Sequence, residues 1–169
     1  GRLTYQKNFE MLINAFGEVY NLDSNTRLII IGEGEDLRSL EKLASKLKLN
    51  DVVKFMGYKT NPYKYIKNSD MFVMCSRWEG PGHVLIEAMG IGCPVITTDC
   101  HSGPSDTICN GKYGLLVCSE KTCKLSEAMI YALNNKNEML SKVNKAKSFL
   151  NRFYAEEVAN KYLQLFSSK

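Results

Sequence analysis

The stretch "SRWEGPGHVLIEAMGIGCPVITTDCHSGP", residues 76–104, decides the fold. It opens with a glycine-containing loop, "EGPGH", at 79–83. The apolar segment 83–92 stops at glycines and predicts a helix, and the run "PVITTD" at 94–99 predicts a strand. A loop, a helix and an apolar strand in this order are typical of a parallel sheet whose faces are covered by helices.

The rest of the chain repeats this alternation. Apolar residues at i, i+3, i+4 and i+7 begin at Phe9 and predict a helix over residues 7–20. The other segments predicted in the same way are strands at 27–32, 52–57, 70–76 and 114–118, and helices at 37–47, 61–69, 125–133, 136–150 and 154–166. With right-handed crossovers, this pattern predicts an α/β fold: a Rossmann-like, doubly wound parallel sheet with helices on both faces.

Composition limits the class of protein. The 169 residues suit one compact domain, with C-terminal helices from about residue 136, and 44% hydrophobic and 24% charged residues are ordinary for a soluble protein. A net charge of +4 is too small to indicate nucleic-acid binding. We expect a cytoplasmic protein without a signal peptide, and peripheral contact with the inner face of a membrane stays open. Because the sequence lacks an initiator Met, we expect a fragment of a longer protein.

The six cysteines show no CxxC spacing and no Cys–His pair with zinc-finger spacing. Several lie in or beside apolar, strand-like runs, where buried thiols are common. We therefore expect reduced cysteines rather than disulfides or metal ligands. They are Cys75, Cys93, Cys100, Cys109, Cys118 and Cys123.

In doubly wound sheets, ligands bind outside the carboxyl ends of the strands, which here selects the loops after Ile31, Phe55, Met74 and Thr98. The first of these, "IGEGED" at 31–36, has only GxG, and its acidic residues would repel a pyrophosphate. We interpret it as a tight strand-to-helix turn that lines a pocket, not as a phosphate cradle.

The loop "EGPGH" is a stronger candidate. Gly80 and Gly82 allow a ligand to approach the backbone, and the helix that follows presents free N–H groups suited to an anion such as phosphate. Glu87 lies about one turn into this apolar helix, where an unpaired buried carboxylate would be costly. Two sugar hydroxyls donating to it would explain it, and a surface Glu paired with a Lys remains the alternative.

Other polar residues flank the same loops. The basic residues here are Arg2, Lys7 and Arg77. Arg2 and Lys7 could reach a diphosphate at the rim, although either could equally be a surface cation. The two histidines, His83 and His101, have no Ser or Cys in a triad pattern. We expect them to line the cleft or cap a helix.

With these residues in place, the chain resembles the C-terminal domain of the retaining GT-B glycosyltransferases of glycosyltransferase family 4, also called group 1. The similarity follows the family's order through "GRLTYQKNFEMLINAF", "RLIIIGEGEDLRSLE", "VKFMGY", residues 71–108 and "GKYGLLV". Its most specific mark is E-x7-E, here Glu79 and Glu87, followed by "PVI-x-TD". The form "TDCHSGPSDTI" is similar to a bacterial subgroup that makes cell-surface polysaccharides or glycans.

The resemblance implies roles for individual residues. Arg2 and Lys7 correspond to the basic pair that binds the donor diphosphate and helps the leaving group depart, and together with Glu79 they form the implied catalytic set. Glu79 corresponds to the glutamate that contacts the donor sugar, and Glu87 to the one that holds the ribose. The full implied donor-binding set is Arg2, Lys7, Gly57, Tyr58, Arg77, Glu79, Gly80, Gly82, His83, Val84 and Glu87.

The same resemblance implies the substrates. The donor is a nucleotide-diphosphate sugar, with a UDP-sugar favoured over a GDP-sugar, and neither a cofactor nor a metal ion is required. A sugar or lipid-linked acceptor would bind through an N-terminal domain that this chain lacks, so the isolated domain is expected to be inactive. Pro81 stands where family members often carry an aromatic or aliphatic residue, and this puts the choice of donor sugar in doubt. The alternatives are a UDP-sugar epimerase-like GT-B protein and a noncatalytic nucleotide-binding module.

Overall fold

A computed structural model describes residues 1–101 and 103–167. The strands are short and parallel: β1 Leu28–Ile30, β2 Val53–Phe55, β3 Phe72–Met74, β4 Val95–Asp99 and β5 Leu115–Cys118. The helices are α1 Phe9–Leu22, α2 Leu37–Lys46, α3 Tyr63–Lys67, α4 His83–Gly90, α5 Pro104–Thr107, α6 Thr122–Asn134, α7 Lys136–Leu150 and α8 Ala155–Ser167. Short 3-10 turns occupy Tyr5–Lys7 and Asn151–Phe153.

The strands form two parallel ladders, β1–β2 and β3–β4–β5, rather than one continuous sheet. The N-terminal segment, residues 1–8, bridges them at their carboxyl edge. On one side the amide of Leu3 donates to the carbonyl of Glu33 (2.9 Å), and on the other the amide of Arg77 donates to the carbonyl of Gln6 (2.8 Å). The loop after β1 and the loop after β3 are therefore held together by the segment between them.

Helices cover both faces of the sheet, as predicted. Neighbouring residues of β4 point to opposite sides, so that Val95 packs into one hydrophobic cluster and Ile96 into the other. The cluster that contains Ile96 is built with α1, α2 and α6, and the cluster that contains Val95 with α4 and α7. The α/β class and the Rossmann-like arrangement are thus confirmed, and α8 has no buried residue.

Most predicted elements agree with the structure to within a few residues. The strands predicted at 27–32 and 52–57 are shorter, three residues each, because their flanking residues turn into the rim loops. The short helix α5 was not predicted. None of the helices in the described ranges is long and apolar enough to cross a membrane. All six cysteines are free thiols.

Candidate functional site

Lys7 and Glu79 meet at the carboxyl edge of the sheet. The Nζ of Lys7 donates to Oε2 of Glu79, forming an ion pair between residues 72 positions apart in the chain. The hydroxyl of Ser76 donates to the same carboxylate oxygen at 3.0 Å. Both charged side chains are largely shielded, with 24% of Lys7 and 15% of Glu79 exposed. Two residues that the sequence assigned to one site are therefore in direct contact.

The N-terminus of α4 lies beside this pair. Gly82 is the residue before the helix and adopts a left-handed conformation (φ 69°), which glycine tolerates without strain. Because Gly82 has no side chain, it cannot cap this end, and the first N–H groups, those of His83 and Val84, receive no capping bond from it. The end of an α-helix with free N–H groups attracts anions.

The glycine loop itself is fixed by packing. A side chain at Gly103 would bring a Cβ within 1.8 Å of the carbonyl oxygen of Gly80, and Gly103 also has φ +95°. The hydroxyl of Thr107, in α5, donates to the carbonyl of Pro81. The loops after β3 and β4 are thereby packed against each other, and the loop at residues 80–82 has a defined shape before any ligand arrives.

Glu87 is exposed on the second turn of α4. The premise that this carboxylate is buried on an apolar helix was wrong, because the apolar neighbours Leu85, Ala88 and Met89 face the core while Glu87 faces outward. Among the described residues, no ion pair joins Glu87 to a lysine, so the surface-pair alternative is not seen either. Its implied contact with a ribose stays a prediction.

Arg77 has a different setting from the other cations. Its guanidinium stacks on the ring of Tyr5 at 3.9 Å, donates to the carbonyl of Tyr5 at 2.5 Å and pairs with Glu120 at 3.2 Å. These contacts tie the loop after β3 to the N-terminal segment and to the turn after β5. Arg77 therefore holds the rim together here, and donor binding by it stays a prediction.

Arg2 is exposed at the same edge. The adjacent Gly1 approaches the aliphatic end of Lys7, since a Cβ at Gly1 would lie 3.9 Å from its Cε. The binding of a diphosphate by Arg2 stays a prediction.

The turn "IGEGED" is a tight strand-to-helix turn, as predicted. Its glycines accommodate the chain's own N-terminus: a Cβ at Gly32 would lie 1.8 Å from the oxygen of Gly1, and one at Gly34 would lie 2.2 Å from that of Leu3. Next to it, Gly57 accepts from the amide of Gly32 (3.0 Å), and the amide of Tyr58 donates to Glu33 (3.2 Å). Gly57 and Tyr58 thus lie on the same rim, and their part in donor binding stays a prediction.

The two histidines both lie at the rim but in different structural settings. His83 opens α4 and is exposed, and His101 forms a backbone bridge with Trp78. Sequence reasoning did not single out Ser76, Tyr5 or Trp78, although Ser76 and Trp78 stand within three residues of Glu79 in the decisive stretch. In the described ranges, no group of three or more His, Cys, Asp or Glu side chains is placed to hold a metal ion.

The chain was compared with known proteins. The family model described as "Glycosyl transferases group 1" matches residues 1–149. An uncharacterized glycosyltransferase of Methanocaldococcus jannaschii is 40% identical over 129 residues, 69% of this chain and 32% of the relative. The N-acetylgalactosamine-N,N'-diacetylbacillosaminyl-diphospho-undecaprenol 4-alpha-N-acetylgalactosaminyltransferase of Campylobacter jejuni is 31% identical over 164 residues, 97% of this chain and 44% of the relative.

Solved structures agree with this match. A variant of Staphylococcus aureus TarM, crystallised in complex with fondaparinux, alpha-GlcNAc-glycerol and UDP, superposes with a TM-score of 0.90 and 28% identity, and covers 98% of this chain and 34% of that one. The chain thus spans between about a third and a half of the length of these relatives. Because the family model matches most of the chain, and related sequences and structures agree with it, the chain belongs to the group 1 glycosyltransferase family.

Proposed function

We propose that the chain is the donor-binding part of a retaining glycosyltransferase, which moves a sugar from a nucleotide-diphosphate sugar to an acceptor. The observation that carries this proposal is the Lys7–Glu79 pair, which the glycine loop at residues 80–82 joins to the N-terminus of α4. A cation, a hydroxyl acceptor and free backbone N–H groups are the three chemistries that a sugar diphosphate requires. Because TarM was crystallised with UDP, a UDP-sugar is the preferred donor.

In this proposal the protein stabilises the leaving group. Cleavage of the glycosyl–phosphate bond places negative charge on the diphosphate, and Lys7, Arg2 and the N–H groups of His83 and Val84 would offset that charge where it develops. Glu79 would accept hydrogen bonds from hydroxyl groups of the donor sugar, and Glu87 would accept them from the ribose hydroxyls. Neither glutamate is assigned as a covalent nucleophile, and the anomeric configuration is retained.

The wider assignment follows from the relatives. The acceptor would bind largely through a second, N-terminal domain that faces this rim, since the relatives are two to three times longer than this chain. The Campylobacter jejuni enzyme is named for a diphospho-undecaprenol substrate, which favours a role in cell-surface glycan synthesis at the cytoplasmic side of a membrane. The 169-residue chain alone would bind donor without transferring the sugar.

Calorimetric titration of the 169-residue chain with UDP, GDP and UMP tests the proposal. We expect UDP to bind with a dissociation constant of about 10 μM to 1 mM, GDP to bind more weakly, and UMP to bind weakest because it lacks the second phosphate. Glu87→Gln should weaken UDP binding by about 1–3 kcal/mol, the usual loss for a hydrogen bond to a charged group. The matched control is Glu127→Gln, an exposed helical Glu in α6. If no nucleoside diphosphate binds at millimolar concentration, the proposal fails.

Addition of EDTA tests the metal independence that the proposal entails. Since protein cations and helix N–H groups take the role of a metal ion in this mechanism, UDP affinity should be the same in 5 mM EDTA and in Mg²⁺, within about twofold. A requirement for a divalent ion would contradict the assignment of charge neutralisation to Lys7 and Arg2.

A further inference from the structure

Two aromatic side chains are exposed beside the Lys7–Glu79 pair. Tyr5 is 65% and Trp78 is 48% exposed, and their ring centroids lie 6.0 Å apart with an interplanar angle of 51°. Trp78 directly precedes Glu79, and Tyr5 comes two residues before Lys7. This tilted pair is called the aromatic platform below. Leaving large rings in water forgoes the free energy of burying them, so a rim that presents both needs a reason.

Contacts with neighbouring residues hold the ring of Tyr5 and the backbone of Trp78. The guanidinium of Arg77 covers one face of the Tyr5 ring at 3.9 Å. The side-chain amide of Gln6 donates to the carbonyl of Trp78 at 3.0 Å, and Trp78 also bridges to His101. Because these contacts order the Tyr5 ring and the Trp78 backbone before binding, the protein would lose little conformational freedom there when a ligand stacks on the rings.

The position of the aromatic platform relative to α4 separates it from the proposed donor site. Arg77 pairs with Glu120, in the turn that leads into α6, so the platform lies toward the α6 side of the rim. The glycine loop and the N-terminus of α4 lie toward the other face, where Gly82 approaches Leu85 and Met74. In the chain, Glu79 directly follows Trp78 and directly precedes Gly80, so a molecule on the platform would lie close to a donor sugar at Glu79.

We propose that Tyr5 and Trp78 form a stacking platform for a pyranose ring of the acceptor, an inference that rests on the proposed function and deepens it. A pyranose ring presents a face of C–H groups, which the negative face of an aromatic ring attracts, and hydroxyl groups at its edge. The phenol and indole N–H supply polar groups at the edges of the platform, and Glu120, whose side chain is 64% exposed, supplies a carboxylate. Aromatic faces with polar groups at their edges suit a sugar better than a wholly apolar partner.

The single tryptophan of the chain makes the proposal directly measurable. Fluorescence excited at about 295 nm, where the nine tyrosines absorb little, and the one indole N–H resonance report on Trp78. With saturating UDP, methyl β-D-glucopyranoside and methyl β-D-N-acetylglucosaminide are titrated up to about 100 mM. We expect at least one of them to produce a saturable shift with a dissociation constant in the range of about 1–50 mM. Sorbitol has comparable hydroxyl groups but no ring face, and should produce no shift.

Variants of Tyr5 distinguish stacking of a sugar on the ring from a general change in the structure of the protein. Tyr5→Ala should weaken the sugar response about tenfold while UDP affinity changes by less than twofold, and Tyr5→Phe should retain the response because the ring remains. Tyr154→Ala is the matched control, since Tyr154 is 61% exposed and lies far along the chain after α7. Should Tyr5→Ala fail to fold, Tyr5→Leu keeps the bulk at that position and is expected to lose the response as well.

The other possible results of these titrations distinguish an acceptor site from a donor site at Tyr5 and Trp78. If UDP binds and no glycoside shifts Trp78, the platform proposal is overturned while the proposed function stands. A shift by UDP-glucose alone, with none by free glycosides, would assign the rings to the donor and overturn the acceptor assignment. An equal response to sorbitol would overturn stacking. If UDP itself does not bind, the proposed function fails, and this is measured independently by calorimetry.

Discussion

Because Lys7 and Glu79 form an ion pair, we expect substitutions at the two residues to change UDP affinity in opposite directions. In the free protein, Glu79 is ion-paired with the Lys7 ammonium group, which the diphosphate would bind in our proposal. Glu79→Gln removes the competing negative charge, so UDP should bind more tightly. Lys7→Met removes the cation itself, so UDP should bind more weakly. Two substitutions in one ion pair are thus expected to move the same equilibrium in opposite directions.

The size of each effect follows from how exposed the pair is. Hydrogen bonds to charged groups contribute about 1.5–3 kcal/mol, and solvent screening lowers this for side chains that are 24% and 15% exposed. In the wild-type protein, UDP binding must therefore replace an interaction worth about 1 kcal/mol. Glu79→Gln removes this cost, which corresponds to roughly a fivefold gain in UDP affinity. Lys7→Met loses a charged contact to the diphosphate, and we expect about 10- to 100-fold weaker binding.

Calorimetry with UDP and with UDP-glucose checks both signs. If Glu79 also accepts hydroxyl groups of the donor sugar, Glu79→Gln should gain less affinity for UDP-glucose than for UDP. The control is Lys136→Met, because Lys136 pairs with Asp70 at 2.6 Å just before β3, at the opposite edge of the sheet. The reasoning is refuted if Glu79→Gln weakens UDP binding as Lys7→Met does, or if Lys136→Met has the same effect.

Other predictions concern stability. Gly103→Ala should destabilise the fold by more than about 2 kcal/mol, because its Cβ would collide with the oxygen of Gly80 at a backbone φ of +95°. Gly90→Ala, in a helix with no heavy atom within 4 Å of the new Cβ, should instead stabilise it by about 0.5–1 kcal/mol, and urea denaturation measures both. Burial raises the pKa of Cys75 and of Cys93 from 9.0 to about 12. The unfolded thiols ionise near pH 9 and the folded ones only near 12, so their contribution is complete below pH 9, and the free energy of unfolding should fall by up to about 1.4 kcal/mol per thiol for each pH unit from 9 toward 12. Denaturation at pH 7.5, 9 and 10.5 tests this, and an unchanged midpoint would contradict it. Both thiols should also resist Ellman's reagent at pH 8 in the folded protein and react once it is unfolded.

Much of the fold could be predicted from the sequence because its elements are periodic or continuously apolar. The helix predicted at 7–20 runs from Phe9 to Leu22, and the strand predicted at 94–99 runs from Val95 to Asp99. The helix α5 was missed because it has only four residues, and proline, serine and aspartate in such a segment are also typical of a turn. Patterning cannot separate these two structures in so short a stretch.

The candidate site was harder to predict, because spacing along a chain does not tell which residues touch across it. The E-x7-E spacing identified Glu79 and Glu87 as residues of interest, but not that one is shielded and ion-paired while the other is exposed. Arg77 has the charge expected of a diphosphate ligand, yet its contacts are to Tyr5 and Glu120. The contacts of Glu79 and Arg77 arise from the packing of two segments 72 residues apart, which no local pattern encodes. The exposure of Glu87 follows from the outward face of α4.

The N-terminal segment explains why the ladders and the site share one edge. The thiol of Cys75 donates to the carbonyls of Lys7 and Asn8, at 3.2 Å each, so the start of α1 is fixed to the end of β3. On the other side, Gly32 and Gly34 lack the side chains that would exclude residues 1–3. The same backbone contacts that join the two ladders therefore set the height of Lys7 above the sheet and bring it to Glu79. Disruption of this segment should weaken the fold and the donor site together, because a single set of hydrogen bonds supports both.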